Sequence, residues 1–277
     1  MILFFVFYGA GTLFWGPLSD KYGRKPVLLA GLTLYITASF LCSCAGDIYQ
    51  LIAFRVLQAV GSGAAPSVAT AMVKDIYDGK KRESILATVQ SMAMIAPIIA
   101  PVLGAVLLKF TSWRGVFWSL TVTGLLALAG GIALEETIGK RYTGTILQTM
   151  GRLGVVIKNP GFTSLLIVFS LAGIPTFAFL ASSSYIYIDV FGLSEQVYSY
   201  FFALNAVFLV LSPMLYMNLS RRFYRGSIIT ACFIVVAISG ALVGSLGNLN
   251  PWLFAVSLIP TTIAANCVRP PGANLML

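Results

Sequence analysis

Two groups of residues have types and spacings suited to chemistry in an otherwise apolar chain. The first is Arg55, inside the run "LIAFRVLQAVGSGAA" (Leu51 to Ala65), with Gln58 one helical turn on and on the same face. A cation well inside an apolar span costs at least about 2.5 kcal/mol and normally turns toward a cavity or a partner. Counted from Asp47, the polar residue at the outer end of that span, Arg55 is eight residues in. At about 1.5 Å per residue this is a depth of about 12 Å, which favours a functional side chain over one that snorkels to the interface. The second group is "GPLSDKYGRKPVLL", Gly16 to Leu29, where one aspartate, three cations, two glycines and two prolines sit between segments without charge. Asp20 falls near the end of a helix, where the macrodipole disfavours an anion, so it needs a cation or a helix amino terminus as partner. Gly23 permits a tight turn, Pro26 suits the start of the next helix, and Arg24 and Lys25 lie between them. The alternative on composition alone is a solvated loop that only sets topology.

The elements that must hold these residues are membrane spans. Hydrophobic residues make up 58% of the 277-residue chain and charged ones 10%, against about 25% charged in a soluble domain. Apolar runs of the length that crosses a bilayer, about 20 residues, recur at approximately 1 to 19, 26 to 45, 48 to 73, 84 to 108, 116 to 134, 162 to 188, 197 to 217, 227 to 246 and 251 to 268. The expected fold class is therefore all-α and polytopic, with about nine transmembrane helices. No run has the charged leader and cleavage site of a secretory signal, and the first begins at Met1 with no charge before it.

Charge placement gives an orientation. With the loop of Lys21, Arg24 and Lys25 on the cytoplasmic side, alternate loops hold every other cation of the 18 except Lys109, Arg114 and the intramembrane Arg55. This puts Met1 outside and Arg269 inside. The net charge of +9 is then a topology signal with some attraction to anionic lipid, not a nucleic-acid surface. Cys42, Cys44, Cys232 and Cys267 lie in apolar runs without metal or redox spacing and read as small hydrophobes. Histidine is absent, which excludes a histidine proton relay and leaves carboxylates as the natural proton switch. No metal cluster or nucleophile–base arrangement appears, so neither an enzyme nor a cofactor is expected.

The longest polar connection, beginning at Glu135, divides the chain into an amino-terminal half (1–134), a cytoplasmic linker (135–160) and a carboxy-terminal half (161–277). An internal echo links the halves, "LSDKYGR" at Leu18 to Arg24 and "LSRRFYR" at Leu219 to Arg225; parallel repeats of this kind build one large class of transporters. In the second half Phe177, Phe179, Tyr185, Phe201 and Asn205, with Tyr187, Tyr198 and Phe202 nearby, have the composition of a cavity for bulky amphipathic compounds. Aromatic belts at the membrane interface are the competing reading of the same residues.

The opening loop resembles the loop signature of the major facilitator superfamily. "LIAFRVLQAVGSGAA", "VKDIY" (Val73 to Tyr77), "APIIAPVLGAVL" (Ala96 to Leu107), "SWRGVFW" (Ser112 to Trp118) and "YFFALNAVFL" (Tyr200 to Leu209) narrow the resemblance to bicyclomycin-resistance-like drug:proton antiporters. That resemblance implies two halves of six helices rocking around a central site, with these nine spans as helices two through ten and the first and last two lacking. It implies that Gly16, Asp20, Gly23, Arg24 and Lys25 form a cytoplasmic latch, with the aspartate facing a helix amino terminus of the other half. It assigns Arg55, with Gln58, to proton coupling, and it makes Pro97, Pro101 and Gly104 a weakened antiporter signature that bends or seals its helix. Outside the cytoplasmic loops the acidic residues are Asp47, Asp189 and Glu195, all at span ends; in the family the proton-carrying acid is commonly on the first helix. The expected function is export of small-molecule drugs in exchange for protons by alternating access across a bacterial inner membrane. Its partners are drugs, protons and the lipid bilayer, without nucleic acid. A metabolite uniporter or symporter of the same superfamily, and a membrane partner protein that moves no solute, are the alternatives.

Overall fold

The computed structural model describes residues 2–139, 144, 158–247 and 249–268. Lys140, Arg141, Arg152 and Arg269, all used in the charge argument, lie outside the described residues, as do the side chains of Lys80, Pro97 and Arg225. Among the described residues the regular structure is entirely helical. The helices are α1 (Ile2–Tyr22), α2 (Arg24–Ser43), α3 (Ile48–Ser62), α4 (Ala64–Ile76), α5 (Gly79–Phe110), α6 (Trp113–Ala133), α7 (Pro160–Ser184), α8 (Glu195–Leu219), α9 (Arg225–Leu246) and α10 (Pro251–Cys267). A π-helical segment, Tyr185–Val190, directly continues α7.

Helices fill each of the expected apolar intervals, and α3 and α4 share one span. Among the described residues seven segments are long and apolar enough to cross a membrane, among them Ile48–Ile76 and Pro160–Val190. α10, with 17 residues, and the Ile99–Phe110 part of α5 are shorter apolar helices, the side chains of several α5 residues before Ile99 lying outside the described residues. The starts of α3, α7 and α10 are fixed by Asp47, Asn159 and Asn250, whose side-chain oxygens accept backbone N–H groups of the first turn. Pro160 and Pro251 stand just inside, where a missing N–H breaks no helical bond.

The chain divides into two compact units, one of residues 1–91 and 106–154, the other of 92–105 and 155–277. In the first, Trp15, Val27, Leu28, Leu32, Ala64, Val68 and Met72 form a core between α1, α2 and α4. Close approach depends on small residues. A Cβ added at Gly61 would lie 2.6 Å from the Tyr35 backbone nitrogen, and one at Gly31 would overlap the Ala64 side chain. Trp15 Nε1 donates to the Val60 carbonyl over 2.7 Å, giving the buried indole a partner and tying α1 to α3. In the second unit Phe179, Tyr187, Phe201, Phe202, Phe254, Ala255 and Leu258 form one core, and Ala172, Tyr216, Ile228, Cys232, Ala264, Cys267 and Val268 another. Large apolar side chains such as Leu126 (71% exposed) cover the outside, while Ser39, Gln58, Ser183 and Ser212 are buried. This inversion of the soluble pattern suits a lipid surround.

Exposure makes the orientation testable, because Cys44 is exposed whereas Cys42, Cys232 and Cys267 are buried. A membrane-impermeant maleimide applied to intact cells is expected to label Cys44. In a Cys44→Ser background, Tyr224→Cys, at a position 81% exposed, is expected to react only after permeabilisation. Equal labelling of both sites in intact cells would contradict the charge-based topology.

Candidate functional site: a half-buried arginine and a charged helix junction

The junction of α1 and α2 is built around Arg24. α1 ends at Tyr22, and Gly23 adopts φ +106°, a conformation that side chains with a Cβ rarely reach. The turn carries Arg24 back over the end of α1. Arg24 Nη1 donates to Ser19 Oγ (2.7 Å) and to Asp20 Oδ1 (2.5 Å), and its Nε donates to Asp75 Oδ2 on α4 (2.8 Å). The guanidinium side chain is 9% exposed, against 43% for Asp20 and 24% for Asp75. Asp20 therefore has the cation that its position at a helix end requires, supplied by its own loop. Gly16 lies against α4, where an added Cβ would stand 3.4 Å from Ser67 Oγ.

Gly23 gives α2 no side-chain cap. Glu136 supplies one from 112 residues away, its Oε1 accepting the Arg24 N–H at 2.9 Å as well as those of Thr137 (3.0 Å) and Ile138 (3.2 Å). An anion at a helix amino terminus is favoured by both the free N–H groups and the macrodipole. Partial desolvation pushes the Glu136 pKa up, but the N–H groups of Ile138, Arg24, Thr137 and Lys25 outweigh it and hold the carboxylate below its ordinary value. A depressed folded-state pKa gives stability that is present above the unfolded carboxylate value and lost as pH falls through the folded one. Glu136 is exposed, so this cap is worth only about 0.5 kcal/mol. Glu136→Gln is accordingly expected to unfold slightly earlier than the parent in detergent at pH 7, with the gap closing below about pH 4. A gap that is constant with pH would exclude the charge as its origin.

Arg55 lies on α3 with its Cζ 4.4 Å from the centre of the Phe4 ring on α1 and 5.7 Å from that of Phe117 on α6. Aromatic faces attract a guanidinium without satisfying its N–H groups, which lie in its plane. Nη1 donates to Gln58 Oε1 (2.8 Å), and Gln58 Nε2 donates to Ser39 Oγ on α2 (2.7 Å). Among the described residues no carboxylate pairs with Arg55, in contrast to Arg24. The two arginines are thus in opposite electrostatic conditions, Arg24 neutralised and Arg55 not.

The other residues singled out from the sequence are dispersed. α5 runs through Pro97, Pro101 and Gly104 as one helix, and a Cβ at Gly104 would meet nothing within 4 Å. Phe179 stacks on Phe202 with ring centres 5.5 Å apart, and Phe201 on Tyr187 at 4.9 Å, inside an aromatic core. Phe177 and Tyr185 are exposed. Asn205 on α8 is buried, its Nδ2 donating to Thr262 Oγ1 on α10 at 3.0 Å. An apolar cleft of about 560 Å³ lies elsewhere in this unit, lined by Leu215, Leu219, Ile228, Cys232, Pro260 and Cys267 among others. Sequence reasoning missed Asp75, Glu136 and Ser39. Asp75 stands in the quoted "VKDIY" and Glu136 is the second residue of the polar linker, so both carried a signal as acids at span ends beside a basic loop. Ser39 carried none.

The Major Facilitator Superfamily model matches residues 1–277. The chain belongs to that superfamily. Among curated relatives, this major facilitator chain is 26% identical over 262 residues to the bicyclomycin resistance protein homolog of Haemophilus influenzae, covering 90% of this chain and 64% of the relative. It is 31% identical over 195 residues to the multidrug resistance protein MdtL of Salmonella schwarzengrund, covering 70% of this chain and 49% of that protein. The chain thus spans about half to two thirds of the length of these relatives. Among solved structures, an inward-facing, occupied bacterial homolog of the human lysosomal transporter Spinster aligns with a TM-score of 0.71 at 16% identity, over 99% of this chain and 68% of that one. At that identity the likeness speaks to fold alone, and it agrees with the all-α, multi-pass architecture of a major facilitator.

Proposed function

We propose that the protein works in a bacterial inner membrane as a secondary transporter that exports small organic compounds in exchange for protons by alternating access. The observation that carries this reading is the guanidinium of Arg55, held between rings of α1 and α6 within an apolar span and paired with no carboxylate among the described residues. A fixed cation in low dielectric lowers the pKa of any carboxylate brought near it and binds anionic or hydrogen-bond-accepting groups. This is how protonation and substrate occupancy become linked at one place. The names of the relatives, bicyclomycin and multidrug resistance proteins, support organic drugs as the substrate class. No step calls for covalent chemistry, so the protein is not an enzyme, and no cofactor enters the cycle.

In this account residues 1–134 and 161–277 act as two halves joined by 135–160. Gly16, Asp20, Gly23, Arg24 and Lys25 work as the latch, and Asp75 and Glu136 belong with them. Arg55 and Gln58 couple protons. Pro97, Pro101 and Gly104 provide a bend, because each proline removes a helical hydrogen bond. Phe177, Phe179, Tyr185, Phe201 and Asn205 line the substrate path, the buried members becoming accessible in another state of the cycle. The experiment is efflux of ethidium from cells and vesicles carrying the full-length protein, energised only by an imposed pH gradient. Efflux that follows the gradient and collapses with a protonophore is expected. Gradient-independent equilibration, or uptake driven with the proton, would replace this reading with a uniporter or a symporter.

A further inference from the structure

The hydrogen bonds behind Arg55 run in one consistent direction. Ser39 Oγ donates to the Tyr35 carbonyl 2.7 Å away in α2, so its single proton is committed and the oxygen faces Gln58 as an acceptor. Gln58 must then present its Nε2 end to Ser39, which leaves Oε1 as the end that meets the Arg55 guanidinium. With the amide turned over, NH₂ would oppose guanidinium N–H and the two oxygens would oppose each other. Gln58 is 1% exposed and Ser39 0%, so water offers neither a substitute partner.

We infer that Ser39 is a positioning residue for Arg55: through the Gln58 amide it fixes the in-plane orientation of the guanidinium, and hence the directions of the N–H groups left for a proton-carrying group or substrate. The inference rests on the coupling role proposed for Arg55. Phe4 and Phe117 attract the cation without fixing the directions of its N–H groups; Gln58 supplies that direction only while Ser39 holds the amide. The titratable groups facing Arg55 are Tyr35 and Cys42, both on α2, and the rings from α1 and α6 bring none. Ser39 itself does not titrate, so a pH profile altered by a change there reports the groups around it, Arg55 together with Tyr35, which Ser39 also contacts.

The test uses the full-length protein in everted vesicles acidified inside, with ethidium added and lumenal proton release followed by acridine orange fluorescence. At matched abundance Ser39→Ala is expected to lower the initial rate about tenfold and to displace the pH profile. Ser39→Thr, which keeps the oxygen, is expected to restore most of the rate and the parental profile. Thr37→Ala, which removes an exposed hydroxyl bonded within the same helix, is expected to change neither. Loss of activity in Arg55→Ala together with a parental rate and profile in Ser39→Ala overturns the inference and leaves the reading of Arg55 standing. A slower Ser39→Ala with an undisplaced profile, not restored by threonine, assigns Ser39 to packing and overturns it as well. Full activity in Arg55→Ala overturns the coupling role on which the inference rests.

Discussion

Arg55→Ala is expected to lower proton-coupled efflux by about two orders of magnitude, with membrane abundance and thermal stability close to those of the parent. The size follows from the energy of an intramembrane cation, at least about 2.5 kcal/mol, which is about a hundredfold if it is spent on coupling. Stability is expected to survive because the substitution takes from the fold only the guanidinium's contacts with two rings and one hydrogen bond to Gln58, and no ion pair among the described residues. Removing an unneutralised charge from an apolar span also relieves a desolvation penalty. Arg55→Lys separates charge from shape, since lysine keeps the cation and loses the planar fork. Partial transport with an altered pH profile is the expected result. Measurement is by dye efflux at several external pH values, and a parental rate in Arg55→Ala would remove the arginine from the mechanism.

The opposite pattern is expected for Arg24→Ala, where stability is lost first. The guanidinium serves Asp20, Asp75 and Ser19 at once and is itself buried. Its removal deprives both carboxylates of the cation they share. Breaking a fully buried pair costs about 3–5 kcal/mol, and partial exposure of both acids reduces this to about 2–3 kcal/mol. The midpoint of unfolding in detergent is expected to fall by about 5 °C. Asp75→Asn is expected to follow it more closely than Asp20→Asn, because Asp75 accepts Nε and is the less exposed acid. Asp20→Asn should instead slow the transport cycle with little loss of stability. An Arg24→Ala protein as stable as its parent would show the cluster to be a solvated loop, the alternative that composition alone allows.

The helices were legible in the sequence because nine apolar runs broken by short polar ones leave few other structures for a bilayer. α10 has 17 residues, at the short end of the length that crosses a bilayer. The Arg55–Gln58 pair was legible as a helical i, i+3 spacing, and the hydrogen bond between them confirms a shared face. The partners across helices were not. Ser39 is 19 residues from Gln58, Asp75 is 51 from Arg24 and Glu136 is 112 from Arg24, and no local period links such positions. Asp20 illustrates the gap: its need for a positive partner followed from the macrodipole, yet which partner meets it depends on a glycine at φ +106° that folds Arg24 back. The aromatic residues of the second half were harder still. Composition shows that Phe177, Phe179, Tyr185 and Phe201 cluster along the chain, whereas their exposure depends on which helix face meets a neighbour.

The central claim, that substrate export and proton entry are coupled through Arg55, is tested most directly by counting protons against substrate. Everted vesicles with the full-length protein and an acidic lumen are given ethidium pulses, and lumenal pH and dye uptake are recorded together. Proton release that tracks dye uptake in the parent, with both lost together in Arg55→Ala, is the expected result. Dye uptake without proton release in the parent, or undiminished coupled exchange in Arg55→Ala, would contradict it.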